Sequence, residues 1–511
     1  MGLLAAPPAH ADYADVDLRT EVDIRIKGTR PDPFRAVARA GDINGDGYDD
    51  VLVGEPSAYY TAGYNAAGSW YAAGSWYVVF GGTTGRIELA DLGGRGFRID
   101  GAASDRSIHG ATGVGDVNGD GYDDVLVGDG SATNNSRLWC GSAYLVLGGT
   151  DTRSVDLADL GDRGFRIDGA ATGDFLGSTV AGAGDVNADG YDDLLIGAAS
   201  AENNDRDFSG SAYVVFGGDT APLDLADLGN RGFRIDGAAA QDRSGSSVAG
   251  AGDVNGDGHD DVVIGAPGAD NNGHDGSGSA YVVFGGSSND VDLADLADRG
   301  FRIDGTEDHT LLGVSVAGAG DVNADGFDDL LLGAYEDHAG AYVVFGGNDQ
   351  SLVLRDLGSR GFRIGGASVN DTIGAAGTGD VNGDGYDDLL IGARDSAYLV
   401  FGGSSGSVDL KDPGDRGLRI DRAGSKVAGP GDINRDGYAD LVIVAHRTAY
   451  VVFGHPTASL TVTARKKAKK IRRTGRTKLV RRITVGTDQS ARTTVTVLPK
   501  KARKTVTVKK A

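Results

Sequence analysis

The sequence predicts an all-β chain folded as a seven-bladed propeller with four antiparallel strands per blade, and three observations predict it. Glycine accounts for 85 of the 511 residues, about twice the usual ~7% share, with no Gly-X-Y period, so collagen is excluded and a turn-rich β chain is favoured. An acidic segment recurs seven times, its first aspartates being Asp42, Asp116, Asp185, Asp253, Asp321, Asp380 and Asp432, spaced 74, 69, 68, 68, 59 and 52 residues apart. Around each copy lie short β-branched and aromatic runs bounded by glycines, the signature of strands rather than helices. Four strands repeated around a ring make a propeller blade, and seven copies predict seven blades.

In chain order, residues 1–11 (MGLLAAPPAHA) read as the back half of a secretory signal, with Ala9 and Ala11 in an A-x-A arrangement before Asp12. Residues 16–28 (VDLRTEVDIRIKG) match the half-unit that elsewhere reads VDL…FRIDG. Six copies of that half-unit follow an AYVVFG-type strand, but none follows Tyr450–Gly454, so residues 22–27 are expected to supply the outer strand of the seventh blade and leave no free edge. The full unit is plain at 224–286. SSVAGAG is the first strand, DDVVIGA the second, AYVVFG the third and GFRIDG the fourth, and the last of these opens the stretch in sequence. The propeller is thus placed at 16–455, followed by a basic Thr/Val-rich tail or partial β module at 456–511.

Charge divides the same way. The tail holds 18 Lys and Arg against the single acid Asp488, so the overall net of −24 conceals a body of −41. An acidic body repels nucleic acid and attracts multivalent cations, while the tail suits an anionic surface polymer. No run of 18 apolar residues occurs, which removes a helical membrane span. The lone Cys140 cannot form an internal disulfide, so the loops need another staple.

The acidic segments supply one. Each obeys D-x-N-x-D-G-x-x-D, and positions 1, 3, 5 and 9 are, copy by copy, Asp42, Asn44, Asp46 and Asp50; Asp116, Asn118, Asp120 and Asp124; Asp185, Asn187, Asp189 and Asp193; Asp253, Asn255, Asp257 and Asp261; Asp321, Asn323, Asp325 and Asp329; Asp380, Asn382, Asp384 and Asp388; Asp432, Asn434, Asp436 and Asp440. Alternate oxygen side chains point into one concavity, glycine at position 6 permits the turn, and hard ligands carrying about −3 suit Ca²⁺, for up to seven ions. An EF-hand is rejected because its position-12 Glu is replaced by Val53, Val127, Ile196, Ile264, Leu332, Ile391 and Ile443. The eighth position is Asp49, Asp123, Asp192, Asp260, Asp328 and Asp387 but Ala439 in the last copy, which favours a supporting or solvated carboxylate over a ligand. His259 shares the seventh position with Tyr and Phe, and so reads as a packing ring.

With Phe284-Gly285 and Gly265-Ala266-Pro267 in place, residues 16–455 resemble a chain of FG-GAP repeats, as in the N-terminal propeller of integrin α chains and related bacterial secreted proteins. The resemblance implies a Ca²⁺ loop between the first two strands and a binding or adhesion role. The family also includes propellers attached to a phospholipase D, so a hydrolase or lyase is the competing class, and a structural surface component a third. No catalytic residues are assigned. Gly402–Gly406 fits G-x-S-x-G by letter but falls in a turn after a third strand, and no H-E-x-x-H occurs.

A ligand site is expected on the face opposite the acidic loops. In an up-and-down blade the 2–3 and 4–1 connections lie there, and the 2–3 connections are long in blades one to four (55–73, 129–140, 198–209 and 266–277) and short in five to seven. Trp70, Tyr71 and Trp139, backed by Tyr59, Tyr60 and Tyr64, are the expected recognition surface for a protein or glycan.

Overall fold

The computed structural model describes residues 16–18, 22–29, 36–55, 74–102, 108, 110–335, 340–348, 350–366, 374–403, 406–445 and 448–455, with the backbone of six short strands between 461 and 507. Among these, strand pairing builds seven five-stranded sheets. In blade three the strands are Thr179–Gly184, Asp193–Ala198, Ser211–Val215 and Gly232–Asp236, each antiparallel to the last. The second and third strands are buried along their whole length, because neighbouring blades cover both faces. Cores such as Leu126, Leu145, Phe165, Ile167, Leu194, Ile196 and Tyr213 therefore lie between blades two and three.

The four antiparallel strands of each blade are as expected, and a fifth, parallel strand is added to them. In six blades it is a two-residue segment, mostly VD, of the following unit, running parallel to the fourth strand of the blade before it, as Val291–Asp292 pairs with Ile235–Asp236; in blade seven it is the four-residue Gly85–Glu88. Each 3–4 connection thus stitches its own blade to its predecessor. Two residues are too short to show an alternation that sequence could reveal.

Ring closure uses the N-terminal half-unit as expected, but divides it between two blades. Ile24–Lys27 pairs antiparallel with Thr448–Val452 and parallel with Gly85–Glu88, completing blade seven. Val16–Asp17 becomes the fifth strand of blade six beside Gly417–Asp421. The segments at 461–464 and 483–486, 469–473 and 476–480, and 494–496 and 505–507 form separate two-stranded antiparallel pairs.

Each first strand ends in a bulge at a left-handed glycine, for example Gly41 at φ +82°. A Cβ there would lie 2.1 Å from Oδ2 of Asp123, so the glycine admits a carboxylate from the next blade. Trp76, just after the long connection of blade one, belongs to the third strand, is 1% exposed, and fills the space over Gly54.

Candidate functional site

The seven acidic loops join first to second strands on one face. Within the first loop Asp42 accepts the amides of Asp46 (3.0 Å) and Gly47 (2.7 Å), Asn44 Oδ1 accepts the Asp46 amide (2.8 Å), and Asp46 accepts the Tyr48 amide (3.1 Å). Equivalent amide bonds accepted by the position-1 carboxylate recur in every copy. These bonds preset the turn with its side-chain oxygens toward one centre.

Asp50 closes the loop. It is fully buried, and its two oxygens accept the Ile43 amide (3.1 Å) and the Gly81 amide (2.8 Å), tying the loop to the glycine turn after the third strand. Burial, followed by the charges of Asp46 and Asp42, pushes its carboxyl up to about 8 against the pull of those amides. Asp388 is likewise raised to about 8, and Asp124, Asp193, Asp261, Asp329 and Asp440 to about 7, with burial the leading cause in each.

Among the described residues no three His, Cys, Asp or Glu side chains already form a metal cage. The donor set nevertheless fits a hard cation. Asn323, Asn382 and Asn434, at position 3 of three loops, each carry a buried Oδ1 without a hydrogen-bond partner. A buried oxygen of that kind, beside carboxylates whose charges oppose one another, is what an oxygen-seeking cation would satisfy.

The half-buried eighth-position carboxylate supports the neighbouring loop rather than only its own. Asp192 Oδ2 accepts the Asp116 amide (2.8 Å), and its own amide bonds back to the Asp116 carbonyl (3.3 Å), lashing adjacent loops together. Asp123, Asp260, Asp328, Asp387 and Asp49 repeat the strap, the last joining blade one to blade seven at Asp432. Only the side-chain half is missing between blades six and seven, where Ala439 keeps the backbone bond to Asp380. Replacing Asp192 with Ala should cost about 1.5–3 kcal/mol, the range for a hydrogen bond to a charged group. Denaturant unfolding of that variant checks it, and a loss below about 0.5 kcal/mol would reduce the strap to surface decoration. The seventh-position rings pack between loops as expected: a Cβ at Gly256 would lie 2.5 Å from Phe327, and one at Gly286 3.1 Å from His259.

On the opposite face the 2–3 connections of blades two to four close upon the 4–1 connections, through bridges Gly141 to Leu176, Gly210 to Ser244 and Gly278 to Leu312. Polar latches missed by sequence reading hold them. Asn134 bonds Ser142, Asn135 bonds Asp168 (3.1 Å) and Asp224 (2.9 Å), and Arg137 pairs with Asp224 (2.6 Å). In blade three Asn203 bonds Ser211 and Arg206 pairs with Asp292 (2.7 Å). The signal was the repeated Asn-Asn-x-Arg, legible once the two connections are aligned.

Trp139 rides on this scaffold. It is 48% exposed and stacks on Phe175, 37% exposed, with ring centroids 6.3 Å apart and planes 15° from parallel. Leu138 and Phe208 are exposed as well. Trp139, Phe175 and Phe208 all hold left-handed backbone, at φ 52°, 54° and 53°, a conformation costly for bulky side chains and concentrated at working surfaces. Tyr59, Tyr60, Tyr64, Trp70 and Tyr71 lie outside the described residues.

This frame of glycine turns and acidic hairpins matches a known repeat. The FG-GAP repeat model fits residues 34–71, 176–215, 244–283 and 374–410. The chain carries FG-GAP repeats. Its propeller is similar to integrin alpha-5 of Xenopus laevis (30% identical over 198 residues, 37% of this chain and 17% of the relative) and to integrin alpha pat-2 of Caenorhabditis elegans (28% over 241 residues, 44% and 18%). It is also similar to the phosphatidylinositol-glycan-specific phospholipase D of Bos taurus (31% over 222 residues, 43% and 25%). The FG-GAP chain therefore spans a quarter or less of the length of these relatives. Among the described residues no helix is long and apolar enough to cross a membrane.

Proposed function

We propose that this FG-GAP propeller is a secreted or surface-held, Ca²⁺-dependent binding module, without catalysis of its own, whose protein or glycan ligand sits on the face opposite the acidic loops. The observation that carries this reading is the exposed Trp139–Phe175 stack on strained backbone above a rigid, hydrogen-bonded scaffold. Rigid aromatic rings offer large contact area at low entropic cost, and binding residues belong on loops held by such a frame. Tyr59, Tyr60, Tyr64, Trp70 and Tyr71 extend the proposed surface from blade one.

Ca²⁺ would be held by positions 1, 3, 5 and 9 of the loops, cross-linking carboxylates that otherwise repel. Integrin relatives and the A-x-A segment of residues 1–11 support placement outside the cell, where loops of modest affinity are filled. The aspartates then act through the fold, while the aromatic face meets the ligand.

The test is a protein and glycan screen with and without Ca²⁺, followed by Trp139→Ala and Phe175→Ala. Trp139→Ala should cost about 2 kcal/mol of binding, roughly thirtyfold, with unchanged melting. Full affinity in the double variant would move the site elsewhere. A hydrolase-linked propeller is the second reading, favoured by the phospholipase D relative, and turnover of a glycosylphosphatidylinositol by the purified chain would establish it.

A further inference from the structure

The backbone frame under the Trp139–Phe175 stack occurs in three neighbouring blades. In blade two the Phe175 amide donates to the Trp139 carbonyl (3.1 Å) and the Leu176 amide to the Cys140 carbonyl (3.0 Å). Blade three repeats these bonds from Arg243 to Phe208 (3.2 Å) and from Ser244 to Ser209 (2.9 Å), and blade four from Leu311 to Gly276 (3.1 Å) and from Leu312 to Ser277 (3.0 Å). The paired positions all hold left-handed backbone, with φ between 48° and 58°. What changes from blade to blade is the pair of side chains held out: Trp139 with Phe175, Phe208 with Arg243, and Gly276 with Leu311.

Blade three thus offers a second exposed ring next to the blade-two stack. Phe208 is 44% exposed, and Arg243, exposed as well, takes the place of Phe175. Among the described residues the Arg243 guanidinium has no hydrogen bond or ion pair. Glu202, Asp205 and Asp207 are exposed in the same connection, where blade two has the uncharged Thr133, Ser136 and Leu138. These three carboxylates outweigh Arg243, and the body of the propeller is itself strongly negative, so a polyanion is repelled from this face. Blade four ends the row of rings, because Gly276 has no side chain.

Aromatic faces, negative at the centre, accept the C–H faces of sugar rings. A hydroxyl both donates and accepts, so it needs donors such as a guanidinium and acceptors such as a carboxylate side by side, and Arg243 and Asp207 provide both next to Phe208. Repetition on adjacent blades suits a ligand that itself repeats. We propose, resting on the aromatic face as the binding surface, that blades two and three together bind a neutral polysaccharide, one sugar on the Trp139–Phe175 stack and another further along the chain on Phe208 and Arg243.

Calorimetric titration of the Ca²⁺-loaded full chain with β-linked disaccharides and hexasaccharides of glucose, mannose, xylose and N-acetylglucosamine, and with hexagalacturonate as the acidic comparison, tests it. At least one neutral hexasaccharide should bind about tenfold or more tighter than its disaccharide, because it reaches both subsites. Phe208→Gly and Arg243→Leu install the residues that blade four holds at the same backbone angles, so both should melt like the parent, and each should bring the hexasaccharide affinity down toward that of the disaccharide. Failure of every neutral hexasaccharide to bind, tighter binding of hexagalacturonate, or unchanged affinity in either variant would overturn the polysaccharide assignment. Trp139→Ala separates that failure from failure of the aromatic face. If a screened protein ligand, or the hexasaccharide, is lost on Trp139→Ala but not on Phe208→Gly, the face stands and only its extension falls, whereas unchanged binding of every ligand in Trp139→Ala removes the face itself.

Discussion

Stripped of divalent cations, the propeller is expected to melt far below its Ca²⁺-loaded temperature. In each loop the carboxylates at positions 1, 5 and 9 face one another, and the closing aspartate is buried and raised to about 7 or 8. A cation that binds only the folded state adds RT ln(1 + [L]/Kd), about 2.7 kcal/mol per filled loop at a hundredfold excess. The same groups fix the sign of the pH response. Their folded pKa lies above the unfolded value near 3.8, so the cation-free fold binds more protons than the unfolded chain between about pH 4 and pH 8. Stability of cation-free protein is fully present below that window and is lost as pH rises through it, whereas saturating Ca²⁺ should flatten the slope by holding the carboxylates ionised. Calorimetric melting at pH 5 and pH 8, with and without Ca²⁺, reads both effects. Identical melting with and without the ion at pH 8 would leave the loops purely structural.

Deletion of residues 1–28 should be more damaging still, because it opens the ring in two places. Blade seven loses Ile24–Lys27 from between Thr448–Val452 and Gly85–Glu88, and blade six loses Val16–Asp17. Leu18, Ile24 and Ile26 are at most 2% exposed, so their removal forfeits roughly 1.5–3 kcal/mol each. The bared third strand of blade seven then offers unpaired amides and carbonyls to other chains. Light scattering should show aggregates and a lowered melting temperature, whereas deletion of residues 1–11 should change neither. A monomeric 1–28 deletion with full stability would mean that the ring closes elsewhere.

Much of this architecture is legible in the sequence because it is local and repeated. Strand type, blade number and the acidic hairpin follow from short runs such as Ser247–Gly252 and Asp253–Asp261, each seen many times over. The N-terminal strand of blade seven is legible too, by counting half-units. Less accessible are relations between residues distant in the chain. Asp192 looked like a helper of its own loop, yet its carboxylate serves Asp116, 76 residues earlier. Trp76 and Trp139 are alike on paper, but one completes a strand buried between blades and the other sits in a connection facing solvent.

The sequence by itself determined the repeat, the ring size and the oxygen-rich loops, since period, glycine placement and ligand type are properties of nine-residue or single-strand segments. Only the tertiary structure decided how adjacent units are bound to one another: the two-residue fifth strands, the aspartate straps from blade to blade, the Arg137–Asp224 latch and the Trp139–Phe175 stack. These contacts join residues from different units whose separation depends on the angle between blades. That angle is set by packing across cores such as the one joining Leu126 and Leu145 to Leu194 and Ile196, and it has no counterpart in any single repeat read along the chain.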